Sequence, residues 1–195
     1  MTQTALSGAF WPTLVIIVVS GLTLLAGESA RLALRYERAG IEALELYRLL
    51  SGHLVHLGAG HFLLNAAGLL LVAFLVGAGL SAAAWWLVLG ASIATIDLAF
   101  WFLNPTLIWY VGLSGVLHGM LVAGALVLFK QRPLESGVIV GLVVAKLAYE
   151  QLLGPLPGSE TTSGGLVVID AHLYGAIGGV LGVLILAGLR RPTSV

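Results

Sequence analysis

Cysteine is absent from the 195 residues of this chain, and charged residues make up only 9% of them. Without cysteine the chain forms no disulfide and offers no thiolate ligand to a metal ion. Nine basic residues balance nine acidic ones, and no basic run is long enough to indicate nucleic-acid binding. Because a soluble domain carries about a quarter charged residues, this composition excludes an ordinary soluble domain.

Apolar residues dominate instead, at 59% of the chain with a mean hydropathy of +1.05, which predicts an integral membrane protein. Six apolar runs are long enough to cross a hydrocarbon core about 30 Å thick. We therefore predict an all-α membrane protein, a six-helix bundle forming a single domain over residues 1–195. No positively charged segment precedes the first run, so we expect it to be retained as a helix rather than cleaved. The predicted spans are residues 10–27, 58–77, 82–103, 114–129, 137–153 and 167–189.

The distribution of basic residues predicts how these spans are oriented. Six spans leave both termini on one side, together with Lys130 and Arg132 after the fourth span and Arg190 and Arg191 after the sixth. An excess of Lys and Arg marks the cytoplasmic side, so both termini are expected there. Four arginines in the first loop, residues 28–57, oppose this orientation.

Polar residues at membrane depth are functional candidates, because hydrocarbon offers them no water. Counted from the cytoplasmic end of each span, Ser114, His172 and His61 lie about 24 to 27 Å along their helices, at about 1.5 Å per residue. Their three spans run in the same direction. We therefore expect these side chains to meet in a shallow pocket a few ångströms below the outer face.

Such a group permits acyl transfer, because a histidine can remove the proton of a serine hydroxyl and make it a nucleophile. The base for Ser114 is either His118, one helical turn later, or His172 on another helix. We favour His172, because a separate helix can aim its side chain at the serine. No cofactor is needed for this chemistry.

Donors for the oxyanion of such a reaction are also present. Ser114 is expected at a helix start, where backbone N–H groups are unpaired, and Gly112 and Gly115 leave room for a substrate backbone. His61 and Asn65 are four residues apart and share a helix face, from which both can donate.

Each feature also has a simpler interpretation. A Gly-x-Ser-Gly segment by itself is explained by close helix packing. Three histidines, His53, His56 and His61, lack the spacing of a standard zinc motif. We interpret the remaining ionisable residues of the spans as structural. Lys146 and Glu150, four residues apart, either neutralise each other or extend outward to the interface, and Asp170 is close enough in sequence to influence His172. These structural candidates are Asp97, Lys146, Glu150 and Asp170.

Four segments carry a resemblance to a known family: Arg48-Leu-Leu-Ser51, preceded by Tyr47; His56-x4-His61-x3-Asn65; Gly112-Leu-Ser114-Gly115; and Ala171-His172-x-x-Gly175. They are similar to the first-loop, second-span, nucleophile and sixth-span motifs of rhomboid intramembrane serine proteases. The resemblance implies a six-helix rhomboid fold with Ser114 as nucleophile and His172 as base in a two-residue dyad. It also implies an oxyanion hole made by His61, Asn65 and the Ser114 backbone N–H, and transmembrane substrates within the lipid bilayer.

One position departs from the family pattern. Many rhomboids have a tyrosine four residues after the serine, where this chain has His118. The octapeptide from Gly112 to Gly119 and the segment at 51–56 resemble the rhombosortase branch. That branch implies exported substrates with a C-terminal Gly-Gly motif, one transmembrane helix and a basic tail. It also implies a bacterial cytoplasmic membrane with the active site open to the exported side.

Three alternatives stay open. The first is a general rhomboid protease that cleaves other single-span membrane proteins. The second is a catalytically inactive rhomboid-like scaffold that binds helices, against which the presence of both Ser114 and His172 argues. The third is a small transporter with a histidine proton relay, but paired deep carboxylates and inverted repeats are missing from the sequence.

Overall fold

The structure, a computed structural model, describes residues 4–189, so Arg190 and Arg191 of the orientation argument lie outside the described residues. Helices account for 77% of the structure. One 3-10 turn, Gly77–Gly79, and one pair of two-residue strands are the other regular elements of the described range. The helices are α1 Thr4–Leu25, α2 Gly27–Leu34, α3 Arg38–Glu42, α4 Arg48–Ser51, α5 Ala59–Val76, α6 Ala82–Leu103, α7 Ser114–Leu128, α8 Pro133–Leu153, α9 Ser159–Ser163 and α10 Ile169–Leu189.

Five segments within residues 4–189 are helical, long and apolar enough to cross a membrane. Each has 18 or more residues, which matches the length needed to traverse the hydrocarbon core. The prediction of an all-α membrane bundle is confirmed. These segments are Gly8–Leu25, Ala59–Gly79, Ala82–Leu103, Pro133–Leu153 and Ile169–Leu189.

The fourth expected span, residues 114–129, is shorter than the others. Its helix α7 has only 15 residues, about 22 Å of rise, whereas spanning takes about 20 residues. Most residues of α7 are buried between other helices. Because protein rather than lipid surrounds α7, its length does not have to equal the thickness of the hydrocarbon core, and the irregular backbone before it is tolerated. The count of six spans therefore stays a prediction.

The first loop is folded. It contains the short helices α2, α3 and α4 and a strand, Tyr36–Glu37, that pairs antiparallel with Trp109–Tyr110. Arg38 reaches from this loop to the end of α6, where its guanidinium donates to the carbonyl oxygens of Phe100 at 2.7 Å and Asn104 at 3.1 Å. The loop is thereby fixed beside the segment that leads into α7.

Glycines bring α7 and α10 into direct backbone contact. A methyl group at Gly175 would overlap the carbonyl of Gly115, and one at Gly179 would overlap the carbonyl of Gly119. Both pairs repeat every four residues, the small-residue spacing that lets membrane helices approach closely. This contact places the first turn of α7 against the first turn of α10.

Candidate active site

Ser114 and His172 lie at this contact. Ser114 is the first residue of α7, and His172 is in the first turn of α10. The Oγ atom of Ser114 is 2.9 Å from Nε2 of His172, which is hydrogen-bond distance. His172 is only 5% exposed, so its ring has little freedom to turn away.

The opposite side of the His172 ring contacts α8. Its Nδ1 atom is 2.8 Å from Oε2 of Glu150. The other carboxylate oxygen of Glu150 is 2.7 Å from Nζ of Lys146, and this ammonium also lies 3.3 Å from Nδ1 of His172. The expected pairing of Lys146 with Glu150 is present. The contact between Glu150 and His172 is not predicted from the sequence, although an acidic residue at membrane depth is a signal for it.

His118 packs against a face of the His172 ring. The two rings are stacked, with centroids 4.4 Å apart and planes 23° from parallel. Nδ1 of His118 lies 2.7 Å from the carbonyl oxygen of Ser114. Because a carbonyl only accepts, this nitrogen carries the proton and is committed to the backbone.

Hydrogen-bond donors from α5 line the cavity beside Ser114. The backbone N–H of Leu57 donates to Nδ1 of His61 at 3.3 Å, so the proton of that ring is on Nε2. Asn65 is buried, and its Nδ2 has no hydrogen-bond partner among the described residues. The N–H of Ser114, at the helix start, has no intrahelical carbonyl to bond.

Gly112 keeps His61 close to the nucleophile segment. Its φ of +129° belongs to a backbone region that side chains disfavour. A methyl group at Gly112 would also lie 2.9 Å from Nε2 of His61. Glycine is therefore required there on two independent grounds.

These side chains surround one cavity of about 190 Å³. Part of its wall comes from the segment between α8 and α10, including Ser159 and Ser163 of α9. Beside it, a groove of about 370 Å³ runs between α5 and α8, and His118 and Lys146 line both spaces. The polar residues that line the cavity are His61, Asn65, Tyr110, Ser114, His118, Lys146, Glu150, Ser159, Ser163 and His172.

The structure also locates the remaining candidates. Asp97 pairs with His53 at 3.1 Å, in the buried region beneath the first loop. The carboxylate of Asp170 accepts from the Asn104 amide at 2.7 Å and from Gln151 at 3.5 Å, and its influence on His172 is not seen in these contacts.

The histidines near the first loop do not gather around a common point. Residues 4–189 hold no cluster of three or more ligand side chains suited to a metal ion. His56 packs edge-to-face against His61. Burial, and next the proximity of His61, lower the pKa of His56 to about 3, so this ring is neutral at physiological pH.

Comparison with known proteins assigns the family. The Rhomboid domain model matches residues 43–189, about three quarters of the chain and the whole range that holds the candidate residues. Neither a curated protein nor a solved structure gives a match. The match agrees with the resemblance that begins at Tyr47. The chain belongs to the rhomboid family, whose members are in general intramembrane serine proteases.

Proposed function

We propose that this protein is an intramembrane serine endopeptidase in which Ser114 is the nucleophile and His172 the general base. The observation that carries the proposal is the 2.9 Å contact between Oγ of Ser114 and Nε2 of His172 in a partly closed cavity. A serine hydroxyl becomes nucleophilic when an adjacent imidazole takes its proton. His118 is less suited as the base, because its Nδ1 is committed to the carbonyl of Ser114.

The reaction proceeds through an acyl-enzyme. Oγ of Ser114 bonds to the scissile carbonyl carbon as its proton moves to Nε2 of His172, and the carbonyl oxygen becomes an oxyanion. Nε2–H of His61, the Asn65 amide and the Ser114 backbone N–H stabilise this charge. The C–N bond then breaks, and His172 returns the proton to the leaving amine. Water, or an amine acceptor, releases the acyl group from Ser114.

The substrate we propose is a membrane protein whose helix unwinds beside Ser114. The groove between α5 and α8 joins the cavity at His118 and Lys146, so a transmembrane segment can reach the site from the lipid. The cavity is small, which favours residues with little or no side chain at the cleaved bond. Together with the rhombosortase-like octapeptide, this supports cleavage near a Gly-Gly pair that precedes a C-terminal helix and a basic tail. The product would be released on the exported side of a bacterial cytoplasmic membrane.

Covalent labelling tests the nucleophile. A fluorophosphonate probe is expected to label the wild-type protein in its membrane and to leave Ser114→Ala unlabelled, because the probe phosphorus reacts only with an activated serine oxygen. Ser159→Ala, which removes another hydroxyl that lines the cavity, is the matched control and should label normally. Absence of labelling in the wild type would favour the inactive scaffold, and equal labelling of Ser114→Ala would refute the nucleophile.

A reporter tests the substrate. We expect co-expression with the wild type, but not with Ser114→Ala, to shorten a reporter that carries a Gly-Gly motif, a hydrophobic helix and a basic tail. Mass measurement of the processed C-terminus locates the cleaved bond. A tail with two leucines in place of the glycines should be cut poorly. If both tails stay intact while a single-span substrate with an N-terminal ectodomain is cleaved, the general rhomboid alternative is correct.

A further inference from the structure

Glu150 is buried on a helix that is otherwise mostly exposed. It is 2% exposed, whereas its neighbours Leu152 and Leu153 at the end of α8 lie open. Burying a carboxylate is costly unless charge and hydrogen bonds compensate it. A structural role alone needs no such burial, because a glutamate near a helix end can extend to water.

Both carboxylate oxygens of Glu150 have partners. Oε1 accepts from the Lys146 ammonium at 2.7 Å, and Oε2 is 2.8 Å from Nδ1 of His172. With an ammonium at that distance the carboxyl group is ionised and only accepts hydrogen bonds. A carboxylate oxygen 2.8 Å from Nδ1 requires a proton between the two atoms, so Nδ1 of His172 carries one, and the Lys146 ammonium, 3.3 Å from Nδ1, donates to the nearer carboxylate oxygen instead. In a neutral ring this leaves the lone pair on Nε2, the atom that faces Oγ of Ser114.

We infer that Glu150 is a positioning residue, which holds His172 in the tautomer that can accept the Ser114 proton and stabilises the imidazolium that results. The inference rests on the proposed function. It replaces the expected two-residue dyad by a chain of three groups, Ser114, His172 and Glu150, contributed by α7, α10 and α8.

The proton count follows directly. The Ser114 proton moves to Nε2 as the Oγ–carbon bond forms, and Nδ1 keeps its own proton in the bond to Glu150. The imidazolium then lies between a carboxylate and the new oxyanion. When the C–N bond breaks, the proton on Nε2 goes to the leaving amine and the ring is neutral again. Glu150 neither gains nor loses a proton, as in other serine triads.

The competing explanation is that Glu150 only neutralises Lys146. Lys146 is 29% exposed, and its long stem lets the ammonium reach the interface without a buried partner. Neutralising the Lys146 charge requires only one carboxylate oxygen of Glu150, but the second oxygen also has a partner, the His172 ring. Only the positioning role uses both contacts.

Glu150→Gln tests the inference with little change in shape. A Gln amide can donate to Nδ1, which places the ring proton on Nε2 and removes the lone pair that faces Ser114. The comparable substitution in a serine protease triad lowers turnover about 10⁴-fold. We expect the saturated rate of fluorophosphonate labelling to fall at least about 100-fold with little change in the probe concentration at half saturation. Nitrogen NMR of labelled His172 should show the proton moving from Nδ1 to Nε2.

A double-mutant cycle separates the two explanations. In a Lys146→Met background no ammonium remains to be neutralised; measured at a pH high enough to keep Glu150 ionised without that ammonium, Glu150→Gln should still reduce the labelling rate by a similar factor. If Glu150→Gln has no effect in that background, or if the loss of rate only follows a loss of thermal stability, the positioning role is refuted. Glu135→Gln, at the start of the same helix, is the matched loss of one carboxylate and should label as the wild type does.

The outcomes also distinguish this inference from the proposed function. Labelling of the wild type that depends on Ser114, with Glu150→Gln equally fast, would leave the protease intact and overturn only the role of Glu150. Failure of the wild type to label at all would overturn both.

Discussion

The contact between α7 and α10 and the gap between α5 and α8 are built on opposite principles. In the first, glycines such as Gly115 and Gly175 bring two backbones together without intervening side chains. In the second, apolar side chains such as Leu71 and Leu142 line an open groove. A methyl group added at Gly137 or Gly141 of α8 would meet no other atom within 4 Å.

The close helix contact fixes the candidate catalytic side chains, whereas the open groove leaves space beside them. The side chains of Ser114 and His172 belong to the two helices that have no room to shift, because close-packed backbones transmit displacement rather than absorb it. Under the proposed function a substrate helix needs an opening toward the lipid, and the groove beside α8 provides it. Glu150 links the two regions, since it belongs to α8 but contacts His172 of the close-packed pair.

The largest effect is expected from removing the imidazole at the rigid contact. His172→Ala should reduce turnover by about 10⁴-fold or more, to the level of Ser114→Ala, because nothing else accepts the serine proton. His118→Tyr, which restores the commoner family residue on the same ring face, should retain a measurable fraction. Cleavage of the reporter measures both. The reverse ranking would assign the base to His118.

A smaller loss is expected on the donor side of the cavity. Asn65→Ala should lower turnover about 10²- to 10³-fold, because one donor to the oxyanion disappears. His61→Ala should act in the same direction. Both should keep a folded helix bundle by circular dichroism and an accessible Ser114. Unchanged rates in both variants would place the oxyanion elsewhere.

The packing itself can be broken by a single methyl group. Gly179→Ala should destabilise the protein by about 1 to 3 kcal/mol, since the methyl meets the carbonyl of Gly119. Gly141→Ala, on α8 with open space around it, should be neutral or stabilise by up to about 1 kcal/mol, the helix preference of alanine. Thermal unfolding in detergent compares the two. Similar midpoints would mean that the α7–α10 contact is not tight.

The smallest effect concerns the groove. Leu142→Trp should narrow it and raise KM for the transmembrane reporter about threefold to tenfold, or roughly 1 kcal/mol, while labelling by a small phosphonate changes less. Leu134→Trp places the same side chain on an exposed part of α8 outside the groove and should behave as the wild type. An equal response of both variants would argue against the groove as the substrate route.

Composition and depth counting were sufficient for a large part of the fold. Apolar runs predicted the membrane helices, because hydrocarbon forces backbone polar groups into helices wherever a segment crosses it. The length of α7 escaped this reasoning, since a helix surrounded by protein does not have to match the bilayer. The folded first loop escaped it too, because Arg38 is held by carbonyls of residues more than 60 positions later.

Part of the candidate site could likewise be predicted from the sequence, and part could not. Spacing along single helices indicated that Ser114, His172 and His61 reach one level, and the structure brings these side chains to one cavity. Glu150 was assigned to Lys146 because the two are one turn apart, a pattern visible in sequence. Its contact with His172 depends on how α8 is rotated against α10, which side-chain packing decides and periodicity does not encode.

The short helix α7 and its dependence on α10 also bear on how the molecule is made. A helix of 15 residues is a weak signal for independent insertion, so α7 is expected to enter the membrane together with its neighbours. α10 is synthesised after every other helix that the structure describes. Under the proposed function, Ser114 gains its general base only once α10 is inserted, so a chain that still lacks α10 is expected to be unable to cleave the membrane proteins inserted alongside it.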